Sequence, residues 1–105
     1  MAKQIVWTEQ AEKQRFEIFN YWNNRNGSNT YSIKLNKKIN KSVSTILNFP
    51  ESGKMSRHKE IRIKIISDYH LFYKEIDDII NVLAFVDMRR DPKTIDKLVE
   101  KWGSR

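Results

Sequence analysis

Ile61-Arg62-Ile63-Lys64-Ile65-Ile66-Ser67-Asp68-Tyr69-His70-Leu71-Phe72-Tyr73-Lys74-Glu75-Ile76-Asp77-Asp78-Ile79-Ile80-Asn81-Val82-Leu83-Ala84-Phe85-Val86 is the stretch that decides the fold. Ile61, Ile63 and Ile65 alternate with Arg62 and Lys64, the period of a strand with two unlike faces. Ser67-Asp68 and Asp77-Asp78 fit two-residue turns, which predicts strands near 61–66, 69–76 and 79–86. The last of these is apolar at nearly every position, so it belongs inside the sheet with both faces covered. With two-residue turns, Ile61, Ile63, Ile65, Phe72, Leu83 and Phe85 share one face, expected under helices. Arg62, Lys64, Tyr69 and Tyr73 then share an open face, and one bulge in either hairpin would swap part of that division.

Working toward the N-terminus, the period changes to that of helices. Ile5-Val6-Trp7 reads as a short strand, and Thr8 as the N-cap of a helix from Glu9 to about Asn26. Phe16, Trp22 and, on the next helix, Leu35 are read as core. Gly27, in the polar run Asn23–Asn29, is the C-terminal stop. Tyr31, Leu35, Ile39, Val43, Ile46 and Leu47 predict a second helix over about Thr30–Asn48, ended by Phe49-Pro50. Lys34, Lys37, Lys38 and Lys41 form its wet face. Toward the C-terminus, Pro92 opens a final helix through Trp102 with Ile95, Leu98, Val99 and Trp102 on its apolar side. The order is β-α-α-β-β-β with a short C-terminal helix. This is an α+β fold, an antiparallel sheet with a helical hairpin on one face, in a single domain over 1–105.

Composition narrows the function. The chain has 105 residues, no Cys, and a formal charge of +7. Without Cys, a disulfide scaffold, a Cys-ligated zinc and thiol catalysis are all excluded. Asp77-Asp78 has no third ligand cluster, so no metal or cofactor is expected. No apolar run approaches the ~20 residues that cross a bilayer, and the start lacks a signal-peptide core, so a cytoplasmic protein with no membrane partner is expected. Residues 1–57 carry ten basic and four acidic side chains, a net of +6. Such a surplus favours a polyanionic or acidic partner.

The element order and several motifs together resemble the RelE/ParE superfamily of type II toxins (plasmid stabilisation proteins). The matching stretches are Ile5-Val6-Trp7 leading to Ala11, Tyr21-Trp22, Phe49-Pro50-x-x-Gly53, Ile61-Arg62-Ile63, Tyr69-x-x-x-Tyr73, and Phe85-Val86-Asp87-Met88-Arg89-Arg90-Asp91-Pro92. The resemblance implies a small basic toxin held in check by a cognate antitoxin. It also implies one of two targets: the ribosome with its mRNA, cut in the A site by RelE-like members, or DNA gyrase, poisoned by ParE-like members.

For RNA cleavage, Arg62 and either Arg89 or Arg90 match positions that hold phosphate. Guanidinium geometry suits that role, although such arginines are equally able to bind the antitoxin. Ribonuclease members carry a Tyr or His beyond the last strand, whereas here the aromatic beyond Arg90 is Trp102. Two substitutes exist. Glu60 as base with Lys59 or Lys64 stabilising charge is one, and His58 as acid/base is the other, with an exposed loop residue as its plainer reading. Tyr73 and Tyr69 could stack on bases or pack against a helix, and His70 falls on the helix-covered face as a core histidine. The missing C-terminal Tyr or His favours the ParE-like, non-nuclease reading over a RelE-like mRNA interferase. A degenerate, non-toxic partner-binding module and an unrelated RNA-binding domain are further alternatives.

Overall fold

The computed structural model describes residues 2–103. Residues 1, 104 and 105 of the expected domain lie outside the described part. Strand β1 (Gln4–Trp7) leads into α1 (Glu9–Asn26) and α2 (Thr30–Asn48). A 3-10 turn (Pro50–Ser52) and a two-residue strand β2 (Lys54–Met55) follow. Strands β3 (Arg62–Ile66), β4 (Tyr69–Ile76) and β5 (Ile79–Asp87) then form the meander, and α3 (Pro92–Gly103) closes the chain. The sheet order is β1-β5-β4-β3-β2.

Local chemistry sets these boundaries. The Thr8 hydroxyl accepts from the Ala11 amide at 3.2 Å and caps α1. Gly27, at φ 65°, ends that helix in the left-handed conformation a glycine adopts without strain. Asp77 and Asp78 have φ of 53° and 66°, the mirror-image turn that matches the twist of a two-residue hairpin. Ile66 pairs with Tyr69 across Ser67-Asp68, so this turn also holds two residues. The expected elements are therefore present with ends within a residue or two. The sheet, however, is mixed rather than purely antiparallel, because β1 joins β5 in parallel. Its Ile5 and Trp7 pack on the hairpin core.

The division of faces differs from expectation. Between Phe72/Tyr73 and β5 the register shifts, with Phe72 opposite Ala84 and Tyr73 opposite Val82. Leu83 is the extra residue, so Leu83 and Ala84 both lie in the cluster beneath α3. Phe85 moves to the other face, among Tyr69, Leu71 and Tyr73 under the α1–α2 hairpin. Ile61, Ile63 and Phe72 pack with Ile95, Leu98, Val99 and Trp102 of α3. The tyrosine face is thus the one beneath the hairpin, and the isoleucine face lies under α3, the reverse of the expected arrangement. Both faces of β5 are buried, as its composition requires. Phe16, expected in the core, is 64% exposed on the outer side of α1.

Phe49-Pro50-x-x-Gly53 now has a physical meaning. The buried Tyr73 hydroxyl donates to the Pro50 carbonyl at 2.7 Å and accepts from the Gly53 amide at 2.9 Å. A Cβ at Gly53 would lie 2.6 Å from that hydroxyl, 2.8 Å from Tyr73 Cε1 and 2.9 Å from the Ile63 carbonyl. Gly53→Ala should therefore cost about 1–3 kcal/mol through overpacking. In thermal denaturation the midpoint should fall by roughly 4–8 °C per kcal/mol for a chain of this size.

On the α3 side, burial and then the neighbouring Lys54 ammonium push the His70 imidazole below its ordinary value of 6.5. The folded chain therefore binds fewer protons at His70 than the unfolded chain does. That stability is fully present above about pH 6.5 and is lost as pH falls through the lowered native value. Denaturant titrations between about pH 7 and pH 5 should show stability dropping, with a shallower drop in His70→Gln.

Candidate functional site

The sequence places α1 across the end of β5, and a groove of about 560 Å³ opens between them. Its floor begins with Tyr69, stacked on Phe85 at a ring separation of 5.2 Å. The Tyr69 hydroxyl accepts from Trp22 Nε1 at 2.7 Å, which fixes the indole of α1 against the sheet. Burial raises the Tyr69 phenol above its ordinary value, so it stays protonated. Trp22 packs against Tyr31 at 4.7 Å and Tyr21 at 5.1 Å, and the Arg25 guanidinium lies 5.9 Å from its ring. Gln14 accepts the Phe85 amide at 2.9 Å and closes the deep end.

Arg89 and Arg90 enter from the other wall, just past β5. Asp87 holds Arg89 by a two-pronged contact, Nε to Oδ1 at 3.1 Å and Nη2 to Oδ2 at 2.9 Å. The same carboxylate accepts the Arg89 amide at 2.8 Å. These bonds draw the Asp87 carboxyl below its ordinary value and hold Arg89 charged. The side chain of Arg89 is 84% exposed, so an oriented cation faces solvent above an aromatic floor. An anionic or carboxylate-bearing surface that also offers apolar side chains fits this chemistry.

The other expected site residues lie elsewhere. Arg62 donates to the Gly53 carbonyl at 2.9 Å and approaches that of Glu51 at 3.4 Å, bracing the turn before β2. Lys64 reaches Ser52 at 3.4 Å beside it. Arg62 stands opposite Tyr73 and Asp87 opposite Tyr69, four residues apart on β4, which is about 13 Å of strand. The arginines also flank β4 from opposite sides, so Arg62 and Arg89 are not neighbours on the sheet. Tyr73, expected to be available for base stacking, is 1% exposed and bonded at both ends of its hydroxyl, because its face is the hairpin face. His58 is a half-buried tie between its loop and α3, with Nε2 3.0 Å from Asp96 Oδ1. Glu60, at φ 65°, lies 3.7 Å from Lys74, and Lys59 is exposed beside it. Among the described residues no group of three or more His, Cys, Asp or Glu converges as a metal site would. No described helix is long and apolar enough to cross a membrane.

Sequence reasoning missed Gln14, Tyr21, Arg25 and Asp87 as groove residues, and read Trp22 only as core. A signal was present in Tyr21-Trp22-x-x-Arg25, which sets a cation one helical turn beyond an indole.

No curated protein sequence matches the chain. A solved structure titled "Chromosomal ParDE TA system from P. aeruginosa" shares its fold, with a TM-score of 0.70 at 15% identity. The likeness covers 83% of this chain and 96% of that one. The family described as "ParE toxin of type II toxin-antitoxin system, parDE" matches residues 5–92, nearly the whole described fold. The groove thus sits in a protein that belongs to the ParE toxin family of type II toxin–antitoxin systems.

Proposed function

We propose that this toxin, when free of its antitoxin, arrests growth by binding DNA gyrase in the cytoplasm through the α1–β5 groove, not by cutting ribosome-bound mRNA. The supporting observation is how Tyr73, Arg62, His58 and Arg89 are engaged. Metal-free RNA cleavage needs a base, an acid and a cation around one phosphate. Tyr73 and Arg62 are bonded to the Pro50–Gly53 turn, and His58 is bonded to Asp96. Arg89 instead stands beside Tyr69, whose hydroxyl is occupied by Trp22, and Asp87, whose carboxylate holds the guanidinium itself. That set suits recognition, with an exposed cation held in one orientation beside aromatic area.

Inducing the chain alone in cells should bring early loss of thymidine incorporation, filamentation and DNA damage. Purified protein should inhibit gyrase supercoiling. Early loss of amino-acid incorporation with A-site-cut transcripts would overturn the reading in favour of a RelE-like nuclease. Unimpaired growth would leave a non-toxic partner-binding module.

Arg89→Ala removes the oriented cation from an exposed site, so the fold should be unaffected. The concentration needed for half-inhibition should rise about tenfold or more, the range of an interface arginine. Undiminished inhibition would remove Arg89 from the contact surface.

A further inference from the structure

On the opposite side of the sheet, α3 covers the isoleucine face only in part. Beside its first turn lies a second cavity of about 320 Å³, floored by Ile63, Phe72 and Ile95 and walled by Met55 and Met88. Met55 is 54% exposed and Met88 37%, while Ile65, on the same face of β3, is 52% exposed. An apolar patch therefore continues out of the cavity onto the surface, where it is unfavourable in water. Thioethers at its walls let it adapt to more than one shape of side chain.

Its rim is cationic. Lys54, Arg57 and Arg90 surround the opening. The carboxylate in the lining, Asp96, is taken by His58 at 3.0 Å and approached by Arg57 at 3.5 Å. Among the described residues neither Lys54 nor Arg90 has an ion pair. An apolar hole ringed by cations is complementary to a large apolar side chain flanked by carboxylates. A bare nucleic-acid backbone would satisfy the rim and leave the floor empty.

We propose that this cavity seats an acidic segment of the antitoxin, carrying one large apolar anchor side chain. The proposal rests on the chain's having an antitoxin partner. Arg90 lines both this cavity and the α1–β5 groove. A carboxylate seated here that engages Arg90 also withdraws a cation from the groove, so anchoring and neutralisation share a residue.

The test uses methyl-labelled methionine in the whole chain, whose three methionines are Met1, Met55 and Met88. Short peptides with a Leu, Phe or Met anchor between glutamates should shift the Met55 and Met88 methyl signals. The shifts should weaken as salt rises. Lys54→Glu combined with Arg57→Glu should weaken binding by about tenfold or more, and Met55→Ala should weaken it independently of salt. The proposal is overturned if no peptide of the set moves these methyls, or if lysine-flanked twins or a single-stranded RNA move them equally. It is also overturned if the double charge reversal leaves binding intact. Growth arrest by the free chain needs no occupant here, so the Lys54→Glu, Arg57→Glu variant should remain toxic. A failed peptide test leaves the toxin reading standing, and loss of toxicity in the wild-type chain leaves the peptide result standing.

Discussion

The Tyr73 hydroxyl, buried between the Pro50 carbonyl and the Gly53 amide, is the contact on which the arrangement of surfaces depends. It fixes where the chain leaving α2 meets the sheet. From there β2 adds to β3 for two residues, and Arg62 reaches the Gly53 carbonyl on the hairpin face. Each partner in this cluster answers a backbone group that burial would otherwise leave unsatisfied, a deficit of roughly 1–3 kcal/mol apiece. The three motifs around Phe49-Pro50, Arg62 and Tyr73 are therefore one structural unit.

The proposed target contact draws instead on the end of β5 and the chain beyond it. β5 buries both faces and cannot itself present side chains, so the chain just beyond it is where charge becomes available. Asp87 lies on that boundary. Its carboxylate holds Arg89 outward, while Tyr69 and Trp22 supply a rigid aromatic floor. Arg90 stands on the ridge between the groove and the Met-walled cavity, which places the two surfaces under one cation. The two adjoining surfaces differ in character. One is aromatic and oriented, the other apolar, adaptable and ringed by positive charge.

Much of the fold was legible. Helical spacing on α2, the Thr8 cap, Gly27 and the aspartate turn each state their structure locally, and Pro92 marks the start of α3. The division of faces was not legible, for an identifiable reason. The run from Ile79 to Val86 is apolar on nearly every residue, so it carries no alternation in which the extra residue at Leu83 could show. The face of Arg62 and Tyr73 looked open because arginine and tyrosine suit solvent. A tyrosine whose hydroxyl has two backbone partners is equally at home in a core. The groove was hidden because its residues come from α1, β4, the end of β5 and the chain beyond it, and only the crossing of those elements joins them.

Substituting Tyr73→Phe is the most direct measurement, since it keeps the ring and removes only the hydroxyl that ties β4 to the Pro50–Gly53 turn. Melting temperature and growth inhibition per folded molecule should be read on the same preparation. A structural Tyr73 gives a lower melting temperature, by several degrees for a loss of about 1–3 kcal/mol, with inhibition retained. An unchanged melting temperature with inhibition abolished would place Tyr73 in the acting site and contradict the separation of framework from function.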